Sequence, residues 1–170
     1  ETSVVAFPIE TVRTMARIIE ATEEEGGERI ATIPGYYASD RAAVICEAAG
    51  KIAEHLEARY LVTFTQSGRS ARLMSRMRHA IPMLAFTPLE STRRQLALSW
   101  GIRAYRVPEV RHTDDMVWQV DQVAQTSRLA EIGDQLVLIA GMPPWTPGSS
   151  NMLRIHNIGD EADYSIGGTR

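Results

Sequence analysis

Short apolar runs alternate with longer amphipathic ones along most of this chain. Residues 60–64 (YLVTF) form a compact apolar run with β-branched Val62 and Thr63, as a buried strand reads. Residues 83–86 and 103–107 repeat the pattern, and residues 135–140 (QLVLIA) are the most apolar of all. Residues 152–158 alternate, with Leu153 and Ile155 on one face and Arg154 and His156 on the other, as an edge strand tolerates.

The intervening runs have helical spacing. Pro8 suits the first position of a helix carrying Ile9, Val12, Ala16 and Ile19, widened by Met15 and Ile18 and closed by Gly26-Gly27. Ser39 or Asp40 can cap a second helix, with Val44, Ile45, Ala48, Ala49, Ile52, Ala53 and Leu56 as its expected buried face. Arg69, Arg72 and Arg76 recur at helical spacing, opposite Leu73, Met74 and Met77. Thr87-Pro88-Leu89-Glu90 reads as a helix start with a Thr cap and a capping box, Leu96, Ala97 and Trp100 facing inward and Gly101 as its stop. Thr113 is placed to cap the next helix, Asp114 and Asp115 suit its positive end, and Met116, Val117, Val120, Val123 and Ala124 form its core side.

Strands alternating with helices imply an α/β, Rossmann-like fold. The expectation is a mostly parallel five-stranded sheet, helices on both faces and the last strand antiparallel at the edge. Residues 1–25 form an appended loop and helix, 26–37 a Gly- and Pro-containing linker, 38–158 the α/β domain and 159–170 a polar tail. The first helix has no neighbour in sequence to cover its apolar stripe, so it looks like the last element of something larger. If the second and third strands build outward from the first, the fourth pairs on the first strand's other side. Ligands in such sheets sit where the order reverses, which selects the loops at 65–70 and 141–150.

Composition narrows the partners. The apolar share of 44% and charged share of 23% are ordinary for a globular domain, and the net charge of −3 offers no basic field for nucleic acid or a membrane. Cys46 is the single cysteine, which excludes an internal disulfide and fits a packed thiol in a reducing compartment. No apolar run suffices to span a bilayer and no signal-peptide pattern opens the chain, so a cytoplasmic protein is expected.

Thr65-Gln66-Ser67-Gly68, at the end of the first strand, leads straight into the arginine-bearing helix. A helix start has open N–H groups and a partial positive charge, and Thr65, Ser67 and Ser70 add hydroxyls. That is the chemistry of an anion seat; the same residue types equally suit an exposed turn with no ligand. No GxGxxG or Walker A pattern is present, Lys51 is the only lysine, and His55, His79, His112 and His156 lack metal-ligand spacing. A solvated or capping role is expected for each histidine. Trp145 lies in a proline-framed loop, where a large aromatic is a lid or an oligomer contact.

The stretches ARYLVTFTQSGRSARLMSRMR, IPMLAFTP, STRRQLALSWGI and PPWTPGSSNMLRIHNIG resemble the C-terminal domain of pyruvate kinase. ETSVVAFPIETVRTMARIIE resembles the end of that enzyme's catalytic barrel, though without the usual Gly-Lys pair of that loop. The resemblance covers about residues 1–159. It implies a regulatory and oligomerisation domain of an enzyme that transfers phosphate from phosphoenolpyruvate to ADP in glycolysis, with magnesium and potassium, typically as a homo-tetramer. It also implies no catalytic or metal residues in this chain, because the family's active site is in the barrel. A phosphorylated effector, a sugar or a nucleotide, is expected at Thr65, Gln66, Ser67, Gly68, Arg69 and Ser70, with Trp145, Pro147, Gly148 and Ser149 as loop candidates. Where bisphosphate-responsive animal members carry a Trp and an Arg near the start of the fourth helix of this domain, this chain has His112 and Gln119, which favours a monophosphate or nucleotide. The alternatives are a stand-alone phosphometabolite-binding or oligomerisation module, and a small-molecule enzyme using 65–70 as its phosphate site.

Overall fold

The computed structural model describes residues 6–26, 40–145 and 150–160. Most of the expected linker, Pro147, Gly148 and Ser149, and nearly all of the tail fall outside them. The chain divides into two compact units, Glu1–Ile33 and Pro34–Arg170.

The first unit contains α1 (Pro8–Gly26). Phe7, Ile9, Val12, Met15, Ile18 and Ile19 are all exposed, and the apolar stripe read from the spacing lies on this helix.

The second unit runs α2 (Arg41–His55), β1 (Tyr60–Phe64), α3 (Arg69–Met77), β2 (Met83–Thr87), α4 (Glu90–Leu96), β3 (Ile102–Arg106), α5 (Thr113–Thr126), β4 (Gln135–Gly141) and β5 (Ser150–Asn157). The strands form one sheet in the order β3-β2-β1-β4-β5. The pairs among β1 to β4 are parallel, and β5 runs antiparallel to β4 at the edge. The α/β fold read from the sequence is the fold observed.

Alternation along the strands sends neighbouring side chains to opposite faces and so builds two cores. Val62, Phe64, Leu84, Phe86, Leu136 and Leu138 meet Met116, Val117, Val120 and Ala124 of α5. Leu61, Met83, Val137 and Ile139 meet α2 and α3 on the other face, and Ala85 meets Ala71 and Leu96.

Several local expectations are corrected. α2 buries Ala42, Ala43, Cys46, Ala49 and Ala53, while Val44 and Leu56 stay exposed and Ile45 and Ile52 are only partly covered. The helix carries two apolar stripes, and the small one lets its backbone approach the sheet closely. α4 starts at Glu90, not at Thr87, which is the last residue of β2 and fully buried; Ala97 faces out. Thr113 is the first helical residue of α5 and His112 stands at the N-cap. His79 and His156 are not solvated but buried: His79 Nδ1 bonds Glu54 Oε1 at 3.0 Å and His156 Nε2 bonds Asp121 Oδ1 at 2.7 Å. The face of β5 bearing Arg154 and His156 is covered by acidic positions of α5, since Arg154 also reaches Asp114 at 3.2 Å. That gives Asp114 an ion pair besides its place at the helix start.

Candidate phosphate site at the reversal of strand order

The strand order reverses between β1 and β4, and the ends of these two strands are where sheets of this kind seat their ligands. After β1, the turn is held by its own polar groups. Thr65 Oγ1 accepts from the Gly68 N–H at 2.9 Å, and the Gln66 carbonyl accepts from Thr92 Oγ1 at 2.8 Å. Gly68 then caps α3 at φ +76°, a left-handed conformation in which glycine carries no penalty. A Cβ there would also sit 2.6 Å from Arg72 Nη1.

The first intrahelical bond of α3 is Arg72 N–H to the Gly68 carbonyl, at 3.0 Å. The N–H groups of Arg69, Ser70 and Ala71 come before it and point out of the helix start. Ser67 is exposed beside them, and Arg72 Nη2 donates to its carbonyl at 2.9 Å, which places a guanidinium next to the turn. Such a helix end attracts anions through oriented N–H groups and the helix dipole.

The six positions read from the sequence are brought together, with their side chains divided in role. Thr65 and Ser70 are buried, and both hydroxyls have partners within the fold: Thr65 on Gly68, and Ser70 on Ser150 Oγ at 2.7 Å. Arg69 forms an ion pair with Asp40, which also caps α2 by accepting from the Ala42 N–H. The hydrogen bond from the Arg69 guanidinium holds the Asp40 carboxyl below its ordinary range. Gln66 is half-buried and contributes its carbonyl. Ser67 is the exposed hydroxyl residue of the turn, and the N–H groups that open α3 have no intrahelical acceptor.

Trp145 is the one loop candidate among the described residues. Expected as a lid or an oligomer contact, it is half-buried, with its ring edge-on to Phe64 at 6.0 Å between centroids. The base of its loop is bracketed by Asn151, whose amide both accepts from the Met142 N–H and donates to the Met142 carbonyl, each at 2.8 Å. Ser150 ends the loop selected at 141–150, whereas Asp40, Arg72, Thr92 and Asn151 are parts of the site that the sequence reading does not include. Only Arg72 carried a signal, its place one turn beyond Gly68; the others arrive from distant elements.

Cys46 offers no nucleophile: burial pushes its thiol up to about 12. Among the described residues no group of His, Cys, Asp and Glu could hold a metal ion. Among them, too, no helix is long and apolar enough to cross a membrane.

A family model described as the alpha/beta domain of pyruvate kinase matches residues 43–156. The chain belongs to the pyruvate kinase family. It is 41% identical over 163 residues to the pyruvate kinase of Mycobacterium tuberculosis, covering 95% of this chain and 34% of that protein. The Corynebacterium glutamicum pyruvate kinase is 40% identical over 161 residues, with 95% and 33% covered. The chain thus spans about a third of the length of the curated pyruvate kinases it matches. Among solved structures, a Cryptosporidium parvum pyruvate kinase in complex with ADP superposes with a TM-score of 0.62 and 26% identity, over 69% of this chain and 23% of that one. A further C. parvum pyruvate kinase shares the fold over 92% of this chain and 27% of its own, with a TM-score of 0.65 and 19% identity.

Proposed function

We propose that this chain is the regulatory and oligomerisation part of a pyruvate kinase, and that it binds a phosphorylated effector at Thr65–Ser70. The parent activity is phosphoryl transfer from phosphoenolpyruvate to ADP in glycolysis, with magnesium and potassium held by the catalytic part of such an enzyme. The observation that supports the effector reading is the start of α3, whose first N–H groups precede its first intrahelical bond beside exposed Ser67 at the reversal of strand order. The Arg72 guanidinium adds positive charge there, whereas Arg69 is partly neutralised by Asp40. Charge-assisted hydrogen bonds contribute roughly 1.5–3 kcal/mol each. A few of them, less the cost of ordering, support affinity on the order of micromolar to millimolar. A phosphate monoester of a sugar or nucleotide fits this single seat. The outward stripe of α2 and the open edge of β5 support a homo-oligomer.

Titration calorimetry against sugar phosphates, AMP and inorganic phosphate tests the reading on wild type and on Ser67→Asp. The added carboxylate repels an anion while remaining acceptable at a helix start. Binding weakens by roughly tenfold or more, the equivalent of about 1.4 kcal/mol, and the melting curve is unchanged. Equal binding by both proteins moves the seat elsewhere.

A further inference from the structure

The net charge of −3 is unevenly spread along the chain. Between residues 66 and 111 stand nine arginines and two glutamates, Glu90 and Glu109, a local balance of +7. In the fold this segment is α3, β2, α4 and β3, so the half of the sheet that ends at the β3 edge is basic. Its positive charge is all guanidinium, since the single lysine lies on α2.

Much of this charge is already engaged. Arg69 pairs with Asp40, Arg72 donates to the Ser67 carbonyl, and Arg93 and Arg94 share Glu90. A different arrangement stands at the amino end of the sheet, where α3 leads to β2 and α4 to β3. Arg78 caps α3 at φ +54°, and its guanidinium lies over the Trp100 ring, 4.4 Å from the centroid. Ser75 Oγ donates to the Trp100 carbonyl at 2.8 Å, which fixes the end of α3 against the turn after α4. Arg76, next to Ser75, is exposed. Leu98, two residues before Trp100, is 94% exposed, the most of any large apolar side chain among the described residues. Its N–H still bonds the Gln95 carbonyl at 3.3 Å, so Arg94 lies a helical turn before it.

A single exposed leucine is ordinary by itself. Leu98 differs in its setting, beside exposed Ala97 and half-exposed Trp100, between Arg94 on its own run and Arg76 and Arg78 from α3. An apolar projection flanked by guanidinium groups is the complement of carboxylates flanking an apolar side chain. A nucleic acid would use open aromatic faces for stacking. Here the guanidinium of Arg78 covers one face of Trp100, and a leucine offers no stacking surface.

We propose that Arg76, Arg78, Arg94, Leu98 and Trp100 form a docking surface for an acidic polypeptide segment that carries an apolar anchor. The anchor packs on Leu98 and the exposed edge of Trp100, and flanking carboxylates meet Arg76 and Arg94. Arg78 stays over Trp100 and stiffens the platform. The surface is distinct from the phosphate seat, which lies at the opposite end of α3.

Fluorescence anisotropy with the whole chain tests this with three labelled probes of about twelve units, the length of a short docking segment. One is a peptide of glutamate and aspartate interspersed with leucine. The second has serine in place of leucine, and the third is a uridine oligonucleotide. Wild type binds the leucine-containing peptide with a Kd on the order of ten micromolar, roughly tenfold tighter than either other probe. Added salt weakens that binding. Arg76→Glu and Leu98→Ser each weaken it by roughly fivefold or more. Arg111→Glu makes the same charge change at an exposed arginine of the β3–α5 loop and leaves the affinity unchanged. Arg76→Glu suffices if Leu98→Ser does not fold. No binding of the leucine-containing peptide overturns the proposal. Equal binding of the serine peptide or the oligonucleotide does so too, as does an equal loss in Arg111→Glu.

Discussion

His79 rests in a notch made by the absence of a side chain. A Cβ at Gly50 would lie 2.0 Å from His79 Nε2, and that nitrogen is buried without a hydrogen-bond partner. Gly50→Ala therefore expels the ring and its bond to Glu54, with an expected loss of about 1–3 kcal/mol, as overpacking costs elsewhere. Urea denaturation measures it, and a loss below about 0.5 kcal/mol means the ring is not seated there. At the surface, Glu90 accepts from Arg93 at 2.7 and 2.8 Å and from Arg94 at 2.9 Å. These bonds hold its carboxyl down from 4.5 to about 2. A depressed carboxylate stabilises the fold above its unfolded value and loses that contribution as pH falls through the folded value. The contribution of Glu90 is thus present above about pH 4.5 and disappears toward pH 2. An NMR titration of the Glu90 carboxyl should find its midpoint well below that of an ordinary glutamate. An ordinary midpoint would mean that solvent breaks these bonds, as happens at many exposed pairs.

Helix α2 shows how the buried face of an element can be rotated from the one its pattern suggests. Of the face that periodicity nominates for burial, Ala49 and Ala53 are buried and Ile45 and Ile52 partly covered, but Val44, Ala48 and Leu56 are exposed. The sheet takes the alanine and cysteine stripe, because small side chains allow close approach and let Cys46 and Ala49 become fully buried. The exposed part of the nominated face is then available for a second copy of the chain. Val44→Glu should leave denaturation within about 0.5 kcal/mol of wild type, since Val44 is half exposed. It should shift sedimentation toward the monomer, and an unchanged association state would place the interface on another surface.

At the scale of the whole molecule, the chain by itself should not turn over phosphoenolpyruvate. Its single lysine, Lys51, pairs with Glu47 on the outer side of α2, remote in sequence from the loops after β1 and β4. Phosphoryl transfer needs metal carboxylates and a cation on the phosphates, and no such constellation converges among the described residues. A coupled assay with phosphoenolpyruvate, ADP and magnesium should stay at background; turnover above background by the purified chain contradicts this.

Element types, strand order and the position of the reversal were legible because they follow from local periodicity and the connection rules of parallel sheets. The runs at 60–64 and 135–140 read as buried strands, and placing them side by side fixes where the strand order reverses. The SGRS turn was legible as well, since a glycine followed by a helix carries its own signal. Which side chains remain available in that turn was decided by tertiary structure alone. Ser70 is taken by Ser150 across 80 positions of sequence, and Arg69 by Asp40 across 29. His156 is likewise buried on β5 by Asp121 of α5, 35 positions away. A sequence pattern encodes which face of an element is apolar, but not which distant partner meets a given polar atom. That pairing is settled only when the sheet brings its loops and edges together, where each buried polar group must find a partner or carry the cost of lacking one.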